Sequence, residues 1–213
     1  HDLSFLRFYQ MRVKTSRPSF RNRPIASVTR RLCDHSMTPL SSENSLAPTV
    51  PGSSDSEWRE INAVLADLIR RRRSRLDRPR RMAQKIEARL TRLSGMMEGL
   101  CRRTCTYCPN PCCLHAKVWL DFTALVFLHL TGHPVPERQP MRRYEEVCCY
   151  WQARGCRLAR ISRPWICTWY LCPAQTSRIR RRPVIECRGL EDEIRGIQAA
   201  RRRLKGVFLE MMA

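Results

Sequence analysis

Three stretches of the chain carry apolar residues at intervals of three and four, the spacing typical of an amphipathic helix. The first follows Ser54, the second precedes Cys101, and the third begins at Leu190. Each predicts a helix that buries one face. The apolar positions are Trp58, Ile61, Leu65, Leu68 and Ile69 in the first, Met82, Ile86, Leu90, Leu93, Met97 and Leu100 in the second, and Ile194, Ile197, Leu204, Phe208 and Met211 in the third.

Polar residues and prolines mark where these helices begin and end. Ser54 followed by Glu57 forms a capping-box pattern and predicts a helix start. Asp77 and Pro79 predict a stop and a restart between the first two helices. The pair is therefore expected to form an antiparallel hairpin, or one kinked helix against a partner.

Between Val118 and Leu130 the chain is apolar nearly all round, which predicts a buried helix that ends near Gly132 and Pro134. Asp121 interrupts this run, which is also too short to span a bilayer. No run of alternating strands is visible. The predicted fold is mostly α, with amphipathic helices around an irregular Cys-rich metal-binding loop core.

The predicted organisation has four segments. Residues 1–53 form a disordered basic tail, 54–100 a helical hairpin or kinked helix, 101–187 a Cys-cluster metal-binding domain and 188–213 a C-terminal amphipathic helix. The amphipathic helices are expected to pair with each other or with a protein partner. Because the chain opens with His1 and Met37 precedes a linker-like stretch, one hypothesis is that the residues before Met37 come from an over-extended reading frame.

Charge and cysteine content change this picture. The chain has 40 Lys and Arg residues against 19 Asp and Glu, a formal charge of +21, which attracts phosphates, acidic proteins or anionic lipid. Its 12 cysteines suit either disulfides or metal. The N-terminus lacks the continuous apolar segment of a secretory signal, so we expect a cytoplasmic protein with reduced thiols that bind metal.

The cysteines fall into two groups. The first reads Cys-x3-Cys-x2-Cys-x3-Cys-Cys, and its Pro109, Asn110 and Pro111 favour one concave loop without regular secondary structure. Clustered thiolates select zinc or iron–sulfur over calcium or magnesium. We expect sulfurs of both groups to converge on shared ions, with Cys33 in the tail and Cys187 as spare residues. The candidate ligands are Cys101, Cys105, Cys108, Cys112, Cys113, Cys148, Cys149, Cys156, Cys167 and Cys172.

Residues 101–172 resemble the YkgJ-type cysteine-cluster family, small bacterial proteins with a CxxCxxCC signature that are described as zinc- or iron-chelating. The resemblance rests on the first cysteine group and on the downstream block from Cys148-Cys149 through Gly155-Cys156 to Arg163-Pro164 and Cys167. One extra residue separates Cys108 from Cys112. The resemblance implies the ligands Cys105, Cys108, Cys112, Cys113, Cys149, Cys156 and Cys167.

Three arginines, Arg157, Arg160 and Arg163, lie close in sequence to the second group of cysteines. They could neutralise a thiolate cluster and tune its potential if it holds iron and sulfur, or form a solvated basic face. No catalytic residues can be named, since no general base accompanies an open metal position. The sequence therefore favours a metal-binding protein with a structural or electron-transfer role over an enzyme.

Two other functions stay open. Runs of arginine at 70–73, 178–182 and 201–203 favour a zinc-stabilised nucleic-acid-binding protein, whose binding would weaken steeply with salt. Cys101, Cys105 and Cys108 with Tyr107 also fit the CxxxCxφC motif of radical S-adenosylmethionine enzymes. That fold needs a strand before the motif, whereas a helix is predicted here. His115 is a further candidate ligand, weighed against a plain loop role.

Overall fold

The chain folds into a mostly helical structure, as the sequence predicts. A computed structural model describes residues 50, 52–153, 155–181 and 184–212, without the side chains of 184–187. The predicted disordered tail, with Cys33, lies almost wholly outside these residues, as does the Cys187 side chain. The helices are α1 (Asp55–Arg71), α2 (Asp77–Thr104), α3 (Phe122–Thr131), α4 (Trp165–Trp169), α5 (Pro173–Arg180) and α6 (Val184–Met212).

Helix α1 begins where the capping pattern predicts. Ser54 is the N-cap, and its side-chain oxygen accepts a hydrogen bond from the Glu57 backbone N–H at 3.1 Å. The helix ends at Arg71 and a short 3-10 turn follows, Arg73–Arg75, before α2 starts at Asp77. The predicted break between the two helices is therefore confirmed.

Helix α3 is shorter than the apolar run that predicts it. Asp121 is its N-cap and accepts a hydrogen bond from the Ala124 backbone N–H at 2.7 Å, so the helix starts at Phe122 and Val118 lies ahead of it. The polar residue that interrupts the run thus sets the helix start. At the other end, Gly132 takes a left-handed conformation with φ of 74° and ends the helix as expected.

Helix α6 starts at Val184, six residues before the apolar stripe that predicts it. The stripe begins only where the helix meets the core, so its first residue is a poor guide to the helix start. Strands β1 (Trp151–Gln152) and β2 (Gly155–Cys156) pair as a short antiparallel hairpin. The described residues thus contain a strand pair that no alternating pattern in the sequence predicts.

One hydrophobic core joins α1, α2, α3 and α6. Helix α2 packs along α6, and α3 lies against α1, α2 and α6. Leu65, Leu93, Leu125 and Leu204 are each at most 1% exposed and belong to this core. The Trp58 indole N–H, buried in α1, donates to the Pro136 carbonyl at 2.8 Å. The predicted domain limits stay predictions, although the core itself spans several of them.

No helix in the described part of the chain has the length and apolar character needed to cross a membrane.

Candidate metal centre

The first cysteine group does not lie on a loop free of regular structure, so that expectation is wrong. Helix α2 continues to Thr104 and contains Cys101, and the Cys105 backbone N–H donates to the Cys101 carbonyl at 2.7 Å. Cys112 and Cys113 lie in a 3-10 turn, Cys112–Leu114. Arginine and threonine in the 101–104 segment tolerate a helix, and the prolines that break one come only at 109 and 111.

Gln175 joins the end of α2 to the start of α5. Its Nε2 lies 3.5 Å from the sulfur of Cys101, 3.4 Å from that of Cys105 and 3.2 Å from Thr104 Oγ1. Its Oε1 accepts a hydrogen bond from the Cys172 backbone N–H at 3.2 Å. The side chain is 3% exposed, so one buried amide orients two thiols from α2 beside the residue that precedes α5.

Gln175 is a site residue that the sequence analysis missed. A signal for it exists, because Cys172 is followed by Pro173 at the first helical position and by Gln175 two positions later, a helix-start pattern. This pattern would have predicted where α5 begins. It would not have shown that the amide reaches α2, which lies 70 residues away along the chain.

Cys101 and Cys105 form a hydrogen-bonded pair of thiols. The hydrogen bond from the Cys105 thiol lowers the pKa of Cys101 to about 5, with Arg160 and Gln175 also favouring its thiolate. The same hydrogen bond raises the pKa of Cys105, and burial and the nearby Cys172 add to the rise. The hydrogen bond shifts the two pKa values in opposite directions, so it favours the thiolate form of Cys101 and the thiol form of Cys105.

Cys112 and Cys113 form a second such pair. The hydrogen bond from Cys112 lowers the pKa of Cys113 to about 6, against the effect of burial, and Arg163 also favours the thiolate. The pKa of Cys112 rises, because of that hydrogen bond first and burial second. Ionisation of Cys105 would raise the pKa of Cys112, and that of Cys101 raises the pKa of Cys113, so the two pairs are close enough to influence each other.

Cysteines of the second group face the first. The pKa of Cys167 is raised to about 12, first by burial and then by the neighbouring Cys113, Cys148 and Cys156. Burial also raises the pKa of Cys148 to about 11, with contributions from Cys156 and Cys113. Cys113, Cys148, Cys156 and Cys167 therefore lie near enough to influence one another electrostatically, whereas the convergence of their sulfurs on a shared ion stays a prediction.

The short hairpin carries Cys156 into this region. Cys156 pairs in register with Trp151, and Gly155 has a φ of 123°, a conformation that favours glycine. Cys148 lies just before the first strand, and its carbonyl accepts a hydrogen bond from the Trp151 backbone N–H at 3.0 Å. A two-residue strand on each side of a tight turn thus brings the two cysteines together.

Cys149 lies in a different environment from its neighbour Cys148. Its sulfur donates to the Gln139 carbonyl at 3.5 Å, and its backbone N–H donates to the Pro140 carbonyl at 2.8 Å. Burial raises its pKa, and the other charges that act on it include Arg138, Arg142 and Asp55. The residue is exposed and is bound to the loop after α3 rather than to another cysteine.

The remaining candidates, Cys108, His115 and Arg157, are not part of the two hydrogen-bonded cysteine pairs. The Cys108 backbone N–H donates to the Cys105 carbonyl at 3.3 Å, which closes a turn after α2. His115 is exposed, and its Nε2 lies 2.5 Å from Asn110 Oδ1. Arg157 is exposed too, whereas the charges of Arg160 and Arg163 act on the two thiolates described above.

As placed, the thiols are not arranged around a metal position. Among the described residues, no group of three or more His, Cys, Asp or Glu side chains could hold a metal ion without rearrangement. Cys101 is hydrogen-bonded to Cys105 instead, and Cys112 to Cys113. Cysteine sulfurs are nonetheless the ligands that bind zinc and iron–sulfur clusters. The chemistry of these cysteines therefore fits a zinc ion or a cluster, although their geometry in this structure does not.

We find no match of this chain to a family model, to a curated protein or to a solved structure.

Proposed function

We propose that this protein binds zinc or iron through its clustered cysteines, with an iron–sulfur cluster as one form of the iron. The observation that supports the proposal best is the electrostatic influence between half-buried cysteines of two distant segments, which Cys113 exerts on Cys148 and Cys167. Two hydrogen-bonded cysteine pairs with Arg160 and Arg163 beside them also support the proposal, since packing alone does not require such an arrangement. The resemblance to the YkgJ-type cysteine-cluster family is consistent with the proposal.

Metal binding would relieve an electrostatic cost in this region. Burial makes the thiolates of Cys148 and Cys167 unfavourable, and every neighbouring thiolate adds to the repulsion. A divalent cation stabilises several adjacent thiolates at once. The proposal requires side-chain rotation of the cysteines, because the hydrogen-bonded pairs must separate for their sulfurs to reach one ion.

The role that fits this site is structural or electron-transferring. Sulfurs come from α2, from the 3-10 turn, from the β1–β2 hairpin and from α4, so an ion would connect elements that are far apart in sequence. No general base is positioned beside the thiols among the described residues. Of the two arginines beside them, the Arg163 Nε donates to the Leu158 carbonyl at 3.0 Å, which holds its charge in place.

The test is anaerobic purification of the full chain, followed by metal analysis and an absorption spectrum. We expect zinc or iron in at least equimolar amount, and absorption near about 400 nm if the iron is in a cluster. The variants Cys113→Ser with Cys167→Ser should lose the metal. Cys149→Ser is the matched control and should retain it, because Cys149 faces the loop after α3.

Two results would contradict the proposal. One is a protein that takes up neither metal after anaerobic reconstitution with zinc or with iron and sulfide. The other is equal metal loss from Cys149→Ser and from the double variant, since that would indicate nonspecific binding to accessible thiols.

A second function, nucleic-acid binding, is favoured by the arginines at the junction of α1 and α2. Arg73, Arg75 and Arg78 are exposed there, and Arg70 is 80% exposed beside Asp67. Helix α2 has 28 residues and is therefore about 42 Å long, so this junction lies far from the cysteines. Retention of RNA that falls steeply with salt, and that charge-neutral substitutions at Arg73 and Arg78 reduce, would support it.

A further inference from the structure

A cavity of about 590 Å³ lies between the C-terminal end of α2 and α5. Helix α2 contributes Leu100 and Arg103, and the other wall consists of Ala174, Ser177, Arg178 and Arg181. The four residues of the second wall are spaced by three, one and three positions, so they share one face of α5 and its C-terminal cap. The space is open to solvent, because most of its lining residues are exposed.

The charge of this cavity is positive and is not balanced within it. Among the residues that the structure describes, three arginines line it and no carboxylate does. Arg103, Arg178 and Arg181 are exposed to solvent, and none of them forms an ion pair with another residue that the structure describes. Three like charges around one concave space repel one another, and an anion between them would remove that repulsion.

Other arginines that pack between elements of this fold have acidic partners. Arg89 and Arg92 of α2 both bind Glu193, at 2.8 and 3.1 Å. Arg201 binds Asp121 at 2.8 Å. The three arginines of the α2–α5 cavity differ from Arg89, Arg92 and Arg201 in having no carboxylate partner among the described residues.

The chemistry of the lining selects the kind of anion. Guanidinium groups present a planar set of donors that matches phosphate oxygens and can bind two of them at once. The Ser177 hydroxyl adds a further donor at the same wall, and Leu100 is the apolar contact. None of the described residues that line the cavity is aromatic, so none of them would stack on a nucleobase.

We propose that this cavity between α2 and α5 binds a compound with two or more phosphate groups, through Arg103, Arg178 and Arg181. The proposal is independent of metal binding by the cysteines. The phosphates come either from a small molecule or from the backbone of a nucleic acid, since both present the same groups to arginine.

The probe is pyrophosphate, titrated calorimetrically into the full chain at about 50 mM salt, where charge interactions are strong. We expect saturable binding of one equivalent. Arg178→Gln with Arg181→Gln should weaken it at least tenfold. Arg202→Gln with Arg203→Gln is the matched control, because it removes the same charge from an exposed part of α6 outside the cavity, and it should change the affinity less than twofold.

A second variant tests the proposal if Arg178→Gln with Arg181→Gln fails to fold. Ser177→Glu places a carboxylate in the cavity on an exposed helical face, and it should abolish binding while the circular dichroism spectrum stays unchanged. Metal content is measured before and after each titration, because pyrophosphate also chelates metal ions. If the arginine variants lose pyrophosphate binding while their metal content stays unchanged, the binding is assigned to the cavity.

Competition with a short RNA oligonucleotide distinguishes the source of the phosphates. Displacement of pyrophosphate by the RNA assigns the cavity to a nucleic-acid backbone, and binding of pyrophosphate without displacement assigns it to a small molecule. The proposal is overturned if pyrophosphate does not bind saturably to the native chain, or if the control pair weakens binding as much as Arg178→Gln with Arg181→Gln.

Discussion

Arg201 of α6 and Asp121, the N-cap of α3, form an ion pair in which the arginine Nη2 lies 2.8 Å from both carboxylate oxygens. The Arg201 side chain is 8% exposed and that of Asp121 is 36% exposed. The guanidinium carbon also lies 5.2 Å from the centre of a Trp165 ring. One arginine thus connects the start of α3, the last helix and α4, which carries Cys167.

We expect Arg201→Met to lower the free energy of unfolding by about 2 kcal/mol, because it leaves Asp121 without its cation and removes the contact with the Trp165 ring. This loss of stability is smaller than the loss expected for a fully buried ion pair, because Asp121 is partly exposed to solvent. Urea unfolding measures it. Arg202→Met, one position along and exposed, should change stability by less than about 0.5 kcal/mol. Equal losses from both would contradict a role for the pair.

Gly196 of α6 lies under the Arg89 side chain. A Cβ atom at this position would come within 2.1 Å of the Arg89 guanidinium nitrogens, whereas Gly206 has nothing within 4 Å. We expect Gly206→Ala to stabilise the protein by up to about 1 kcal/mol through helix propensity. Gly196→Ala should not, since it displaces Arg89 from Glu193.

Thermal and urea unfolding of both alanine variants test this difference. In an Arg89→Ala background, Gly196→Ala should recover the gain seen at Gly206, because the obstructing guanidinium is absent. A gain at Gly196 in the native background would show that Arg89 moves aside without cost.

His129 makes stability depend on pH. Its Nε2 lies 3.0 Å from Asn62 Oδ1, and burial lowers its pKa below the usual 6.5. The unfolded chain therefore binds a proton more readily than the folded one, and the free energy of unfolding falls as pH drops below about 6.5. For one group the slope is at most about 1.4 kcal/mol per pH unit.

The variant His129→Gln keeps a side-chain amide for Asn62 but does not titrate. We expect the stability of the native protein, relative to this variant, to decline between pH 7.5 and pH 5. Denaturant unfolding at each pH measures the difference in the free energy of unfolding between the two proteins. The contributions of the other titrating groups are the same in both and cancel. A difference that stays constant over this range would contradict the burial of a neutral imidazole.

Gln175 should contribute to stability through its amide. Gln175→Leu removes the acceptor for the Cys172 N–H and the donor to the two α2 sulfurs, and we expect a loss of about 2–3 kcal/mol. Gln175→Glu keeps the acceptor but brings a negative charge to the Cys101 thiolate, so its destabilisation should be greater at pH 8 than at pH 5. Urea unfolding under reducing conditions measures both.

Local sequence patterns were enough to predict most of the helical fold. Ser54 caps α1, Asp121 caps α3, and Gly132 ends α3, each because a short-range hydrogen bond or a backbone preference acts within one helical turn. The apolar stripes likewise identify the faces that form the core. These features depend on neighbours in sequence, so the sequence alone is sufficient for them.

The relationships between distant side chains could not be obtained in this way. Adjacent Cys148 and Cys149 look equivalent in the sequence, yet one lies near Cys156 and the other binds the Gln139 carbonyl. The partner of Arg201 and the reach of Gln175 to α2 depend on how α5 and α6 pack. Such contacts join residues 70 to 80 positions apart, and packing of whole helices selects among the many pairings that composition allows.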